Sequence, residues 1–132
     1  MKEILVLVDK SGSMKVLGKE AISIDILHFL SLYPQINSCE KMVSFIQHDW
    51  DGSDEKLYDI CKDINSFVIL TDGYACNDHC ETTLQTFSLD KDKEFAIVLI
   101  GADSYFRQID LEHKIPVFKA SDIDVLAESF TR

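Results

Sequence analysis

LVLVDKSGSM, residues 5–14, is the stretch that decides the fold of this chain. Residues 4–8 are all apolar, which is typical of a strand covered on both faces inside a parallel sheet. The run ends on Asp9, and Ser11 and Ser13 follow it at alternate positions. A buried carboxylate without a partner is costly, so we interpret Asp9 and the two hydroxyls together, as parts of one site at the end of a strand.

Outward from this strand, the apolar pattern alternates between strands and helices. Helices are expected over residues 14–32, closed by Pro34, around residues 57–64, over 78–89, and after Ser121 as an N-cap. Further strands are expected at residues 41–47, 67–70, 95–102 and 115–118. Five strands alternating with helices predict an α/β, three-layer Rossmann-like fold, with a mostly parallel central sheet and helices on both faces. The length of 132 residues fits one domain, 1–132.

The net charge of the chain indicates which kinds of partner it can bind. Thirteen basic residues against twenty-three acidic ones give a formal net charge of −10, which favours cations and argues against nucleic acid. The longest apolar run, residues 95–102, is too short to span a membrane, and residues 1–3 lead into the first strand without a signal peptide. We therefore expect a cytoplasmic protein that binds no membrane and whose four cysteines are reduced thiols.

Acidic residues follow the ends of the predicted strands, at Asp9, Asp49 with Asp51, Asp72, and Asp103. The carboxyl ends of parallel strands share one edge of the sheet, where ligands usually bind, so these carboxylates should converge. Oxygen ligands suit Mg²⁺, at about 2.0 to 2.1 Å, or Mn²⁺, whereas zinc favours thiolates and imidazoles. The sequence thus predicts a magnesium or manganese site formed by Asp9, Ser11, Ser13 and Asp72.

DKSGSM at residues 9–14 and ILTDG at residues 69–73 together resemble a known site. They are similar to the metal-ion-dependent adhesion site of von Willebrand factor type A domains, whose motif is Asp-x-Ser-x-Ser, then a threonine, then an Asp in a strand-end TDG. Residues 101–130 are similar to the last strand-helix-strand-helix portion of such domains. The resemblance implies a non-catalytic interaction module in which a partner's Asp or Glu completes the shell of the metal. It also implies a small stand-alone bacterial adaptor, working beside a MoxR-type AAA+ ATPase or a conflict-system effector in defence.

Two features depart from the family pattern. The family threonine usually lies in a Gly-Gly-Thr loop, and the matching stretch here, residues 50–60, contains none. Ser53 could supply the hydroxyl instead, or Asp54 or Glu55 a carboxylate. Residues 42–53 have room for one strand where the family usually has an antiparallel pair, so the sheet is expected to lack its edge strand. An exposed edge would offer a metal-free scaffold as an alternative function.

Simpler interpretations exist for several of these residues. Ser11 or Ser13 could cap the following helix, with Asp9 favouring its dipole, but capping does not explain Asp72 at the same edge. Cys76, His79 and Cys80 could form a partial zinc site or a redox pair, although an ordinary loop and helix start is favoured. The residues of the edge loops that could contact a partner are Met14, Trp50, Gly73 and Tyr74, and packing against a neighbouring loop is an equal alternative for Trp50.

Two enzyme classes are the rivals of a binding module. In a response-regulator receiver, Asp72 would be the phosphoacceptor and Lys119 its lysine, but adjacent acids are needed after the first strand, where Lys10 follows Asp9. In a haloacid-dehalogenase-type phosphotransferase, Asp9 would be the acceptor, but Ser11 replaces the second acid that protonates the leaving group. We therefore expect no catalysis.

Overall fold

A single parallel sheet organises the computed structural model of this chain, which describes residues 1–108 and 114–131. The strand order is β2-β1-β3-β4-β5, and every pair of neighbours is parallel. The strands are β1 (Lys2–Asp9), β2 (Val43–Trp50), β3 (Ser66–Thr71), β4 (Glu94–Leu99) and β5 (Val117–Lys119). The helices are α1 (Lys19–Ile36), α2 (Asp54–Cys61), α3 (Tyr74–His79), α4 (Glu81–Leu89) and α5 (Ile123–Phe130), with short 3-10 helices at Gly12–Lys15 and Ala120–Asp122. The predicted fold class is confirmed.

Each face of the sheet has its own hydrophobic core. On one face, Ile4 and Val6 of β1 share a core with Ile26 and Leu30 of α1 and with residues of α5. On the other face, residues of the central strands pack with helices α2, α3 and α4. Full burial of one such large side chain contributes roughly 1.5–3 kcal/mol, so the double coverage explains why β1, β3 and β4 are almost wholly apolar.

Helix α1 differs from its prediction at both ends. It begins at Lys19 instead of residue 14, because Leu17 and Gly18 adopt positive φ angles of 58° and 73° and separate it from the preceding 3-10 helix. It also continues past the buried Pro34 to Ile36. The buried face carries Ile26 and Leu30, while Leu17, which lies before the helix begins, is 71% exposed.

The other element bounds need smaller corrections. Strand β2 extends to Trp50, so residues 48–50, which lie beyond the predicted end of the strand, complete it. Strand β4 ends at Leu99 and β5 has three residues, both shorter than predicted. The helical stretch predicted over 78–89 is divided at Cys80 into α3 and α4, and the N-cap of α5 is Asp122, not Ser121. Residues 109–113, within the segment that resembles the family, lie outside the described residues.

The order of the strands explains where the candidate site lies in the fold. Strand β1 lies between β2 and β3, so the chain leaves the ends of β1 and β3 toward opposite sides of the sheet. Ligands of open α/β sheets usually bind in the crevice at such a point, beyond the carboxyl ends of the strands. Asp9 is the last residue of β1 and Asp72 directly follows β3, so both flank this crevice.

Across residues 1–108 and 114–131, no helix is both long enough and apolar enough to cross a bilayer.

Candidate functional site

Asp9 is a buried carboxylate at the end of β1, only 1% exposed. The Thr71 hydroxyl donates a 2.6 Å hydrogen bond to Asp9 Oδ2, and the Ser11 amide donates a 2.8 Å bond to Asp9 Oδ1. These two donors fix the orientation of the carboxylate and tie the ends of β1 and β3 together. A carboxylate oxygen has more than one lone pair, so each oxygen can still accept a further ligand.

The loop that follows Asp9 borders a cleft of about 330 Å³, which we call the rim cleft. Residues that line it include Ser11, Ser13, Gly52, Ser53 and Tyr74. The Oγ of Ser11 is buried and has no hydrogen-bond partner among the described residues. Buried hydroxyls are almost always satisfied, so this atom is free to bond to a group that enters the cleft.

Gly52 keeps the rim cleft open beside Ser11. Its φ is +89°, and a Cβ added there would lie 2.9 Å from the Cβ of Ser11 and 3.4 Å from Asp9 Oδ1. A side chain at this position would therefore press against the two residues that the sequence predicts as first ligands of the metal. The loop after β2 approaches the loop after β1 closely because residue 52 has no side chain.

Ser53, predicted to replace the family threonine, lies at the rim cleft but already has a structural role. It is the N-cap of α2, and its Oγ accepts a 3.3 Å hydrogen bond from the Lys56 amide. Its amide donates to Asp51 Oδ1 at 2.9 Å, and the hydrogen bonds from Ser53 lower the pKa of Asp51. Asp51, also at the rim cleft, is thus held as an anion near the predicted ligands.

Asp72 is fully buried and forms an ion cluster that the sequence did not predict. Lys19, the first residue of α1, donates from Nζ to Asp72 Oδ2 at 3.0 Å and lies 3.0 Å from Asp103 Oδ1. Burial acts to lower the pKa of Lys19, but hydrogen bonds to Asp72 and Asp103 and their charges outweigh it, so the pKa is raised. Its hydrogen bond to Lys19 lowers the pKa of Asp103. Asp72 Oδ1 accepts the Tyr74 amide at 3.2 Å.

The acidic residues predicted to converge therefore fall into three places. Asp9 lies at the crevice with Thr71, and Asp72 and Asp103 meet on Lys19. Asp49 is exposed near the end of the edge strand β2, where its carboxylate accepts a hydrogen bond from Gln47. Among the described residues, no group of three or more His, Cys, Asp or Glu is arranged to hold a metal, so the predicted site depends on serine hydroxyls beside its carboxylates.

Three of the four predicted partner-contact residues are buried, which corrects the prediction for Met14 and Gly73 and favours the packing alternative for Trp50. Met14 and Trp50 are each 1% exposed, and the Trp50 indole donates to the Ser53 carbonyl at 2.9 Å. Gly73 is also buried, under the backbone of Tyr105. These three residues are therefore packed inside the protein, beneath the edge loops. Tyr74 alone of the four is partly exposed and lines the rim cleft.

Sequence reasoning missed two residues of this site, Lys19 and Thr71. Thr71 belongs to the strand-end TDG, so the signal for it was present, but the motif does not specify that its hydroxyl binds Asp9. Lys19 follows a glycine at the start of a helix, a position where a solvent-exposed lysine is the ordinary expectation. No sequence signal indicates that it points inward.

The stretch containing Cys76, His79 and Cys80 does not assemble a zinc site among the described residues. Cys76 and Cys80 are buried in the core on the α3 side of the sheet, while His79 is exposed. Burial raises the pKa of Cys76, and it raises the pKa of Cys80 to about 12. The favoured interpretation, an ordinary structural segment, agrees with this packing.

We expect native Cys61, Cys76 and Cys80 to resist alkylation. Burial raises the pKa of Cys61 to about 12 as well, and the thiolate is the form that reacts. At neutral pH, iodoacetamide should modify these thiols at least about a hundredfold more slowly in the native protein than in concentrated guanidinium chloride. Mass spectrometry of the digested protein measures each site. Equal rates in both states would contradict their burial.

Comparison with known proteins identifies the fold only. No protein-family model matches the chain, and no curated protein matches it. Among solved structures, it is similar to a fragment from Peptoclostridium difficile 630 described as a "putative lipoprotein", at 16% identity and a TM-score of 0.60. The alignment covers 98% of this chain and 96% of that chain. At this identity, the likeness shows that the two share a fold.

Proposed function

We propose that this protein is a non-catalytic, metal-dependent protein-interaction module. Asp9, Ser11 and Ser13 hold Mg²⁺ or Mn²⁺ at the rim cleft, with Asp72 and Ser53 beside them, and an open coordination position accepts an Asp or Glu of a protein partner. The single observation that carries this proposal is the buried, unpartnered Oγ of Ser11 next to the Asp9 carboxylate. Both groups offer the hard oxygen atoms that Mg²⁺ prefers.

The surroundings of this pair support the same proposal. The rim cleft has room for an ion and its water ligands, and the anionic Asp51 borders it. The residues that line it come from the loops after β1, β2 and β3. A divalent ion at this place would compensate the carboxylates that the strand ends bring together. The partner class suggested by the family resemblance, a MoxR-type AAA+ ATPase or a conflict-system effector, and the cytoplasmic location remain predictions.

The experiment that tests the metal site is a calorimetric titration of chelator-stripped protein with Mg²⁺ and Mn²⁺. We expect one-to-one binding by the wild type and at least about a thirtyfold loss of affinity in Asp9→Asn, because the amide keeps the shape of the side chain but removes the charge that binds the ion. Asp49→Asn is the matched control, since Asp49 is an exposed carboxylate outside the rim cleft. Equal binding by wild type and Asp9→Asn would contradict the site.

The partner mechanism needs a separate test. Peptides selected by display on the Mg²⁺-loaded protein are compared in Mg²⁺ and in EDTA, and again after their acidic residue is changed to the amide. If the partner's carboxylate binds the metal, both changes should abolish binding. A selected peptide that binds equally well in EDTA would show a metal-independent interface.

The edge strand favours one alternative function, a metal-free scaffold. Over its full length, Val43–Trp50, β2 pairs with β1, and no other described strand lies on its outer side. Unpaired backbone groups of an edge strand can add a strand from another chain. The rival phosphoacceptor function of Asp72 has less support, because its ammonium partner is Lys19 and not Lys119.

A further inference from the structure

Lys19 is an ammonium group enclosed at the candidate site. Its side chain is fully buried, and its three N–H groups have three acceptors: Asp72 Oδ2 at 3.0 Å, Asp103 Oδ2 at 3.1 Å and the Ser13 carbonyl at 3.2 Å. Nζ also lies 5.6 Å from the centre of the Tyr74 ring. One cation thus contacts two predicted metal-site residues, the carboxylate of Asp72 and the backbone of Ser13.

The fold makes specific room for this lysine. Gly101 has a φ of +97°, and a Cβ there would lie 2.9 Å from Cε of Lys19 and 3.2 Å from its Cγ. The loop after β4 can therefore cover the aliphatic chain only because residue 101 has no side chain. Lys19 is also the first residue of α1, and Gly18 directly before it has a left-handed backbone conformation with a φ of 73°.

Stability alone is a weak explanation for such an arrangement. Bringing two charges out of water costs energy that their attraction barely repays, and buried ion pairs are often replaceable by apolar residues without loss. The position of the ammonium has a functional consequence instead. It already compensates the second carboxylate that the family resemblance assigns to the metal.

We infer that Lys19 acts as a built-in cation that occupies the Asp72 side of the site and weakens the binding of a divalent ion in the absence of a partner. This inference rests on the proposed function. The ammonium of Lys19 offsets one of the two carboxylates that it contacts, Asp72 and Asp103, so the charge near the site is less negative than it would be without the lysine. Once a divalent ion is bound, an incoming carboxylate of a partner is therefore repelled less than it would be in the absence of Lys19.

The test replaces Lys19 with methionine, which keeps an unbranched chain beside Gly101 and removes the charge. Chelator-stripped wild type and Lys19→Met are titrated with Mn²⁺ by calorimetry. A unit charge about 6 Å from a divalent ion changes its binding about tenfold even at the dielectric constant of bulk water, so Lys19→Met should bind Mn²⁺ at least about tenfold more tightly. Its Tm should also rise more on addition of Mn²⁺ than that of the wild type, because the ion replaces the missing ammonium.

The outcomes separate this inference from the proposed function. Equal affinities of wild type and Lys19→Met overturn the role of Lys19 but leave the metal site. Binding by Lys19→Met alone supports the role of Lys19 and contradicts metal binding by the isolated wild type. Absence of binding in both overturns the proposed function and, with it, this inference.

A second variant keeps the inference testable if Lys19→Met fails to fold. Asp103 is 36% exposed, so Asp103→Asn should fold, and it leaves the ammonium of Lys19 to Asp72 alone. Mn²⁺ affinity should fall roughly threefold to tenfold. The matched control is Asp124→Asn on α5, an exposed carboxylate remote from the ion cluster. Equal effects of the two substitutions would overturn the inference.

Discussion

Gly73→Ala is expected to lower the free energy of unfolding by about 3 kcal/mol or more. A Cβ at this position would lie 1.7 Å from the carbonyl oxygen of Tyr105, and the φ of Gly73 is +94°. Both obstacles are backbone features, so neither can be relieved by rotation of a side chain. Thermal or urea unfolding measures the loss, which corresponds to a decrease in Tm of roughly 10 °C.

Gly12→Ala is the matched control for this prediction. A Cβ at Gly12 meets nothing within 4 Å, and its φ is not positive, so stability should change by less than about 0.5 kcal/mol. Gly73→Ala should also weaken Mg²⁺ binding, since the clash moves the turn that carries Asp72. Wild-type stability in Gly73→Ala would mean that the loops after β3 and β4 are further apart than in this structure.

The central strands were predictable because their burial leaves a direct mark on the sequence. Apolar residues on both faces of β1, β3 and β4 produce continuous runs such as residues 67–70, and these runs identify a parallel sheet covered by helices. Strand β2 lies at the edge and is exposed over residues 46–49. The apolar pattern therefore ends the predicted strand at residue 47, three residues before its observed end.

The bounds of α1 depend on backbone conformations that residue types only weakly specify. Leu17 adopts a positive φ, which is uncommon for a side chain of its kind, and the pattern gave no reason to expect a break there. Pro34 lies in the last turn, where packing against the core offsets the lost hydrogen bond. The sequence pattern therefore placed the helix but not its limits.

The sequence predicted which strand ends form the candidate site. It did not predict which side chains contact one another there. The positions of Asp9 and Asp72 after two adjacent parallel strands follow from topology alone. The partner of Asp72 does not, because a lysine side chain can reach in several directions and the sequence does not encode which one it takes. The burial of Met14 was likewise not indicated by the sequence, and for Trp50 the pattern left packing and partner contact equally open.

Asp72→Ala is expected to destabilise the protein by about 3 kcal/mol, because it leaves the buried ammonium of Lys19 without its main counter-ion. The half-exposed carboxylate of Asp103 stays beside Lys19, which places the effect at the low end of the range for a broken buried ion pair. The loss is measured by urea unfolding, where the midpoint should fall while the slope stays unchanged.

The double variant Lys19→Met/Asp72→Ala distinguishes loss of the ion pair from loss of packing. If the cost of Asp72→Ala comes from an uncompensated charge, removal of that charge should restore stability, with a coupling energy of about 2 kcal/mol between the two sites. If the cost comes from the cavity left by the carboxylate, the two substitutions should add. Additivity within about 0.5 kcal/mol would show that Lys19 and Asp72 are neighbours without energetic coupling, and the ion pair would then contribute nothing to stability.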